Sequence, residues 1–207
     1  MAVVSNGTTI IDAGALGGGV ATGKMTLIKT LTASNSATLS FVHGSSSVIF
    51  DDTYDKYVFK FYEIHPATDN QQFAFQADTG TNTNYNTQIT SSAFRAYHIE
   101  SGSDQGLGYV AGEDQAQGTA FQKLTAGGTV GADADQNASG ELQIYDPAST
   151  TKVKHFIGRS SGSHASDYEA DFYVGGYVNT TTALTRVQFK VLSGNFDGVV
   201  KLYVIGE

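Results

Sequence analysis

The sequence predicts an all-β chain: an antiparallel β-sandwich, jelly-roll-like, with long central loops. Three observations carry that expectation. Charged residues make up only 15% of the 207 residues while Gly contributes 24, a balance that suits many tight turns and few solvated helix faces. Tyr and Phe, 11 and 12 in number, recur inside alternating runs, where wide rings fill a pleated surface. Apolar runs return roughly every ten residues with Asn, Asp, Gly and Ser between them, which is the spacing of a sandwich or jelly roll.

Residues 1–23 are small, polar and glycine-rich, with Gly17-Gly18-Gly19 near their end. They are expected to form an extended arm that lies on a neighbouring subunit, ahead of a single β-sandwich domain over 24–207. Strands are expected at 25–33, 37–43, 47–50, 56–64 and 71–77. Within the fourth, residues 56–62 are bulky on both parities, as a strand buried on two faces requires. Residues 80–103, with Ile89, Ala93, Phe94, Tyr97 and Ile99, fit a strand or a turn or two of helix equally well. Residues 106–137 are rich in Gly, Asp, Ala and Gln and weakly periodic. They are expected as long loops around a short strand at 119–124, and loops of such length usually bind a ligand or another subunit.

Strands are expected again at 140–145, 152–159, 168–179, 184–192 and 199–205. In the last pair, Val187, Phe189 and Val191 share one face and Gln188 and Lys190 the other. The hexapeptide Ser193-Gly194-Asn195-Phe196-Asp197-Gly198 follows, and then a run apolar on both parities from Val199 to Ile205. This reads as a terminal β-hairpin whose second strand lies deeper. There is no internal repeat of fixed period.

Composition removes several function classes. The formal net charge is -8, and an acidic chain without a basic stripe is poorly suited to a phosphate backbone, so no nucleic-acid partner is expected. The absence of Cys removes disulfides, a thiol nucleophile and a Cys-ligated zinc, and suits a reducing cytoplasm. Met1-Ala2-Val3-Val4 carries no basic patch before an apolar core, and no apolar run approaches the ~18 residues of a membrane span. Neither a secretory leader nor a membrane partner is expected.

Several motifs invite chemistry and are weighed against their context. Gly158-Arg159-Ser160-Ser161-Gly162 fits the G-x-S-x-G nucleophile elbow, which needs a helix after the serine; a strand-like run follows instead, so a polar hairpin loop is expected. Gly18-Gly19-Val20-Ala21-Thr22-Gly23-Lys24 fits the start of a P-loop, but Met25 stands where the Mg²⁺-binding hydroxyl belongs and no helix follows. Acidic turns at Asp51, Asp52 and Asp55, at Asp133 and Asp135, and at Asp104, Glu113 and Asp114 have the oxygen-rich character calcium prefers. Residues 133–137 open like an EF-hand loop but lack its glycine and glutamate offsets, so solvated turn aspartates are expected.

His43, His65, His98, His155 and His164 lack metal-ligand spacing. Carboxylate pairs for glycoside hydrolysis meet only in the fold and stay open at this point. Tyr85, Tyr97, Tyr109, Tyr168, Tyr173 and Tyr177 suit glycan stacking, a tyrosine-rich core or a subunit interface. No catalytic, cofactor-binding or metal-binding residue is assigned, and no cofactor is expected.

The C-terminal run, Phe189-Lys190 followed by Ser193-Gly194-Asn195, Gly198 and Lys201-Leu202-Tyr203, resembles the ending of a group of virion structural proteins of marine tailed bacteriophages, cyanophages especially. Residues 25–33, 45–54, 64–69 and 114–121 are similar to segments of the same group, so the resemblance spans most of the chain. It departs at Val204-Ile205, where many relatives have Gly-Ile after Leu-Tyr. The resemblance implies a non-enzymatic structural protein of the virion, assembled in the host cytoplasm. The role expected first is a capsid decoration or cement protein that contacts the major capsid protein and copies of itself, as a homotrimer. The alternative is a tail fibre, baseplate or receptor-binding module that contacts host-surface glycans.

Overall fold

The structure is a computed structural model that describes residues 2–12, 15–16, 25–127 and 130–205. Among the described residues there is no helix, and the chain runs through sixteen strands. The first three, β1 (Val3–Ser5), β2 (Thr8–Asp12) and β3 (Ala15–Leu16), form a small antiparallel sheet of their own within the expected arm. Residues 17–24, including all of the P-loop-like stretch, lie outside the described residues.

The body contains β4 (Met25–Ser36), β5 (Leu39–Val42), β6 (Lys56–Pro66), β7 (Phe73–Thr79), β8 (Ile89–Ile99), β9 (Gln105–Tyr109), β10 (Gln115–Gly118) and β11 (Gln122–Lys123). It continues with β12 (Ala138–Tyr145), β13 (Lys154–His164), β14 (Tyr168–Val178), β15 (Leu184–Val191) and β16 (Phe196–Ile205). A nine-stranded antiparallel sheet is ordered β10-β8-β14-β13-β12-β6-β16-β4, with β9 also on β8. It packs on a four-stranded sheet ordered β11-β7-β15-β5. The fold is therefore an antiparallel β-sandwich. Within it the series β4-β16-β6-β12 and β5-β15-β7-β11 run in step, so each strand of one series has its nearest or next described neighbour in chain order at the same place in the other sheet.

Alternation explains why these runs become strands. In β13, Phe156, Gly158 and Ser160 point inward while His155, Ile157 and Arg159 point out, and β14 repeats the pattern with Phe172 and Val174 inward. Phe41, Phe59, Phe73, Phe75, Phe156, Phe189 and Phe196 fill the space between the sheets and are all fully buried. Phe73 stacks on Phe189 at 5.7 Å and meets Phe196 edge-on at 5.6 Å, a geometry worth about 1 kcal/mol per pair beyond area burial.

The terminal hairpin is corrected. β15 pairs with β5 and β7, whereas β16 pairs with β4 and β6, so the two runs belong to opposite sheets. The hexapeptide carries the chain across the end of the sandwich. Ser193 N donates to Gln71 Oε1 at 2.9 Å, and Ala67 N donates to Asn195 O at 2.9 Å, which ties the crossing to the β6–β7 connection. Its Phe196 is a core residue rather than a turn residue. Alternation reports that one face is buried, and facing sheets satisfy that as well as a hairpin does.

Four other expectations change. Residues 47–50 are not a strand: Ser46 and Ser47 have φ of 50° and 71°, and the segment is a turn that inserts Val48 and Phe50 into the core. The strand expected at 119–124 shrinks to Gln122–Lys123, while part of the stretch expected as loop forms β9 and β10 on the edge of β8. The region 80–103 resolves as strand β8, because all eleven of its residues find partners on β14. In β6 only one face is fully buried, since Tyr57, Phe59 and Phe61 point inward while Tyr62 is 37% exposed.

Candidate functional site

The central loops are absorbed by the fold. β7 is buried on both faces, because the loops cover its outer side. Gln76 Nε2 donates to Thr87 O, Thr119 O and Ala120 O at 3.0, 3.2 and 3.0 Å. The fully buried Asp78 accepts from Asn82 Nδ2 at 2.6 Å and Tyr85 N at 2.9 Å. These side chains fix the loops onto the small sheet, and Tyr85 packs there against Phe121.

The serine motif is neither an elbow nor the hairpin loop expected there: residues 158–162 lie inside β13, paired on both sides. Ser160 sits in mid-strand between Gly140 and Phe172, buried, with its Oγ donating to Leu124 O at 2.6 Å. The cavity it shares with His164 and Thr125 is about 10 Å³, room for at most one water. No group of three or more His, Cys, Asp or Glu residues that could hold a metal occurs among the described residues.

Most of the candidate polar residues serve local geometry. Asp51 Oδ1 accepts from Thr53 N at 3.0 Å, and Gln136 N donates to Asp133 O at 2.8 Å, so both acidic turns cap themselves. Tyr97 and Tyr109 donate their hydroxyls to Asp104 and Asp114. Glu113 is buried, which pushes its carboxyl upward, but it faces Lys123 at 3.1 Å and Gln72 at 2.8 Å rather than a groove. His43 Nδ1 accepts from Phe50 N at 2.9 Å, and His65 Nδ1 donates to Gln136 O at 2.7 Å. His98 Nδ1 lies 2.9 Å from its neighbour's carbonyl, Ile99 O. His155 packs on Tyr177, and His164 stacks on Tyr168, its pKa lowered first by burial.

What remains is the outer face of the nine-stranded sheet. The registers align one row of side chains across it: Tyr109, Phe94, Tyr173, Arg159, Glu141, Lys60, Lys201 and Thr30, on β9, β8, β14, β13, β12, β6, β16 and β4. Phe94 and Tyr173 lie parallel at 4.7 Å, and the Arg159 guanidinium lies 4.9 Å from the centre of the Tyr173 ring. Phe94 and Arg159 come from the strands on either side of β14, so Tyr173 is covered on both faces.

Arg159 also makes a two-pronged bond to Asp171, at 3.1 and 2.8 Å. That bond raises the guanidinium above its ordinary value and holds the Asp171 carboxyl below the usual carboxylate range. A catalytic acid needs its carboxyl raised and facing substrate, and Asp171 is shifted the opposite way. Beside the row, a groove of about 530 Å³ is bordered by Lys60 and Tyr62 on one side and by Arg159, Glu169 and Asp171 on the other. Lys201 lies 5.2 Å over the Tyr62 ring.

Towards the β9 end of this face the exposed apolar side chains are Tyr109, Phe94, Ile157 and, most open of all, Leu107 at 76%. Such a cluster suits contact with another protein surface. It suits sugar stacking less, because Tyr173 has no free ring face. Sequence reading named Tyr109 and Tyr173 but missed Phe94, Leu107 and Arg159 as their neighbours; the alternation within β8 and β14 was the available signal, and the cross-strand register was not. The chain matches no known protein-family description, no curated protein and no solved structure.

Proposed function

We propose that this chain is a non-enzymatic structural protein of a tailed-phage virion, a decoration or cement protein that sits on the capsid shell. The observation that carries this reading is the stepped order of β4-β16-β6-β12 over β5-β15-β7-β11. We read it as a jelly roll whose large sheet is extended by β8, β9, β10, β13 and β14, and jelly rolls serve widely in viral shells. The resemblance of the C-terminal run to virion proteins agrees with that reading. So does the chemistry, because Ser160, Asp51, Asp104, Glu113, Asp114, His43 and His65 are engaged in holding turns, loops and strands.

On this reading the outer row from Tyr109 to Arg159 is a contact surface for a neighbouring virion protein, and many copies would gain strength by multivalency. The test is to image purified particles carrying a labelled copy of this protein. Label spread over the shell supports the decoration reading. Label confined to the tail replaces it with the tail reading, in which the groove beside Tyr62 would meet host glycans.

A further inference from the structure

We propose that β4 is the site at which two copies of this chain pair, antiparallel and edge to edge, about a two-fold axis passing between Ile28 and Lys29. The two main sheets present several edges, and an edge strand exposes unpaired backbone groups that invite another chain unless it is short or disrupted. Three places are protected in that way. The far edge of the large sheet is split into β9 and β10, of 5 and 4 residues, with Gln117 at φ 52° inside the second. In the small sheet β11 has 2 residues and β5 has 4. β4 differs: it has 12 residues and, among the described strands, pairs in its sheet only with β16.

The sequence of β4 is compatible with a second copy. From Met25 to Ser36 there is no carboxylate and no Pro, in a chain whose net charge is -8, so two copies meet here without the acidic repulsion found elsewhere. The regular edge ends near Asn35, which has φ 48° and donates its N–H inward to Asp197 Oδ1 at 2.6 Å. The pairable stretch is therefore 25–32.

A bulge fixes the register. Leu27 pairs with Tyr203 and Lys29 with Leu202, so Ile28 is left unmatched, and the side-chain alternation resets there. On the outer face Met25 and Leu27 before the bulge, and Thr30 and Thr32 after it, are exposed; of the other residues Thr26 is exposed too, whereas Ile28 and Leu31 pack against the core. One antiparallel register keeps the exposed set together: Met25 opposite Thr32 of the second copy, and Leu27 opposite its Thr30. It also places Ile28 opposite Lys29, which keeps the single charge of β4 from facing its own copy. Leu27, 49% exposed, is then covered. The contact is isologous and closes as a dimer.

Light-scattering mass measurement of the wild-type protein at high micromolar concentration is expected to give twice the mass of one chain. A monomer, or the homotrimer implied by the resemblance, would overturn the proposal. The register is tested by the double variant Leu27→Cys with Thr30→Cys, since the natural chain has no Cys. With oxidised glutathione as oxidant, two thiols from opposite copies give a disulfide-linked dimer. Within one chain the two positions are about 10 Å apart, too far to bridge. Each single variant places its two thiols equally far apart across the axis and is expected to stay uncrosslinked. Absence of crosslinking in a folded double variant, or equal crosslinking in the singles, would refute the register. Should the double variant fail to fold, the wild-type mass still decides.

Discussion

Phe59 on the large sheet and Phe189 on the small sheet meet across the sandwich with ring centroids 5.2 Å apart. Phe189 also contacts Phe41, Phe73 and Phe75, so it is the aromatic centre of the core. Phe189→Ala is expected to cost about 3–5 kcal/mol, from lost transfer energy and the cavity left behind. Phe189→Leu should cost clearly less. Denaturant midpoints at constant slope check both, and equal midpoints would contradict the packing described.

Lys154 is fully buried, and its ammonium is held by backbone carbonyls while the charge of Asp146 acts on it from further off. Its Nζ donates to Ser149 O, Lys152 O and Thr180 O at 2.6, 3.0 and 3.1 Å. The residue therefore pins the β12–β13 loop to the β14–β15 loop. Lys154→Met keeps the stem but orphans three carbonyls, and is expected to cost about 3 kcal/mol. Hydrogen exchange should quicken first at 146–153 and 179–183. Uniform quickening, or none, would contradict the pin.

Tyr57 is buried, and burial pushes its phenol up to about 12. The folded state thus holds its proton above the pH at which an unfolded tyrosine, near 10, loses it. Stability from this group is full below about pH 10 and is lost as pH rises from 10 through 12, because the unfolded chain then binds fewer protons. The wild type is expected to lose stability over that window more steeply than Tyr57→Phe, by roughly 2–3 kcal/mol. Parallel curves from urea titrations at pH 8 to 12 would contradict it.

Ser160 carries the one hydrolase-like motif, and its hydroxyl donates to Leu124 O. Ser160→Ala is expected to lower stability by about 1 kcal/mol, the cost of a buried carbonyl losing its partner. Neither the wild type nor the variant should turn over ester substrates. Esterase activity that disappears in the variant would restore a catalytic role.

Much of the fold was legible because β13 and the runs 141–145 and 169–174 alternate, and alternation states which face is buried. It does not state which sheet a strand joins, and so 187–192 and 199–205 read as a hairpin although β15 and β16 lie in opposite sheets. Residues 47–50 misled for a local reason: Val48 and Phe50 alternate as in a strand, but the positive φ of Ser46 and Ser47 turns the chain. The outer row was hidden for a long-range reason. Tyr109, Phe94, Tyr173 and Arg159 become neighbours only through the registers of β9, β8, β14 and β13, and no local pattern encodes a register between distant strands.

The central claim is a structural place on the capsid shell, and the copy number of this protein in purified particles tests it most directly. Quantitative mass spectrometry against the major capsid protein is expected to give a ratio of the same order as the number of shell positions. A ratio typical of a tail part, or absence from the particle, would contradict the account.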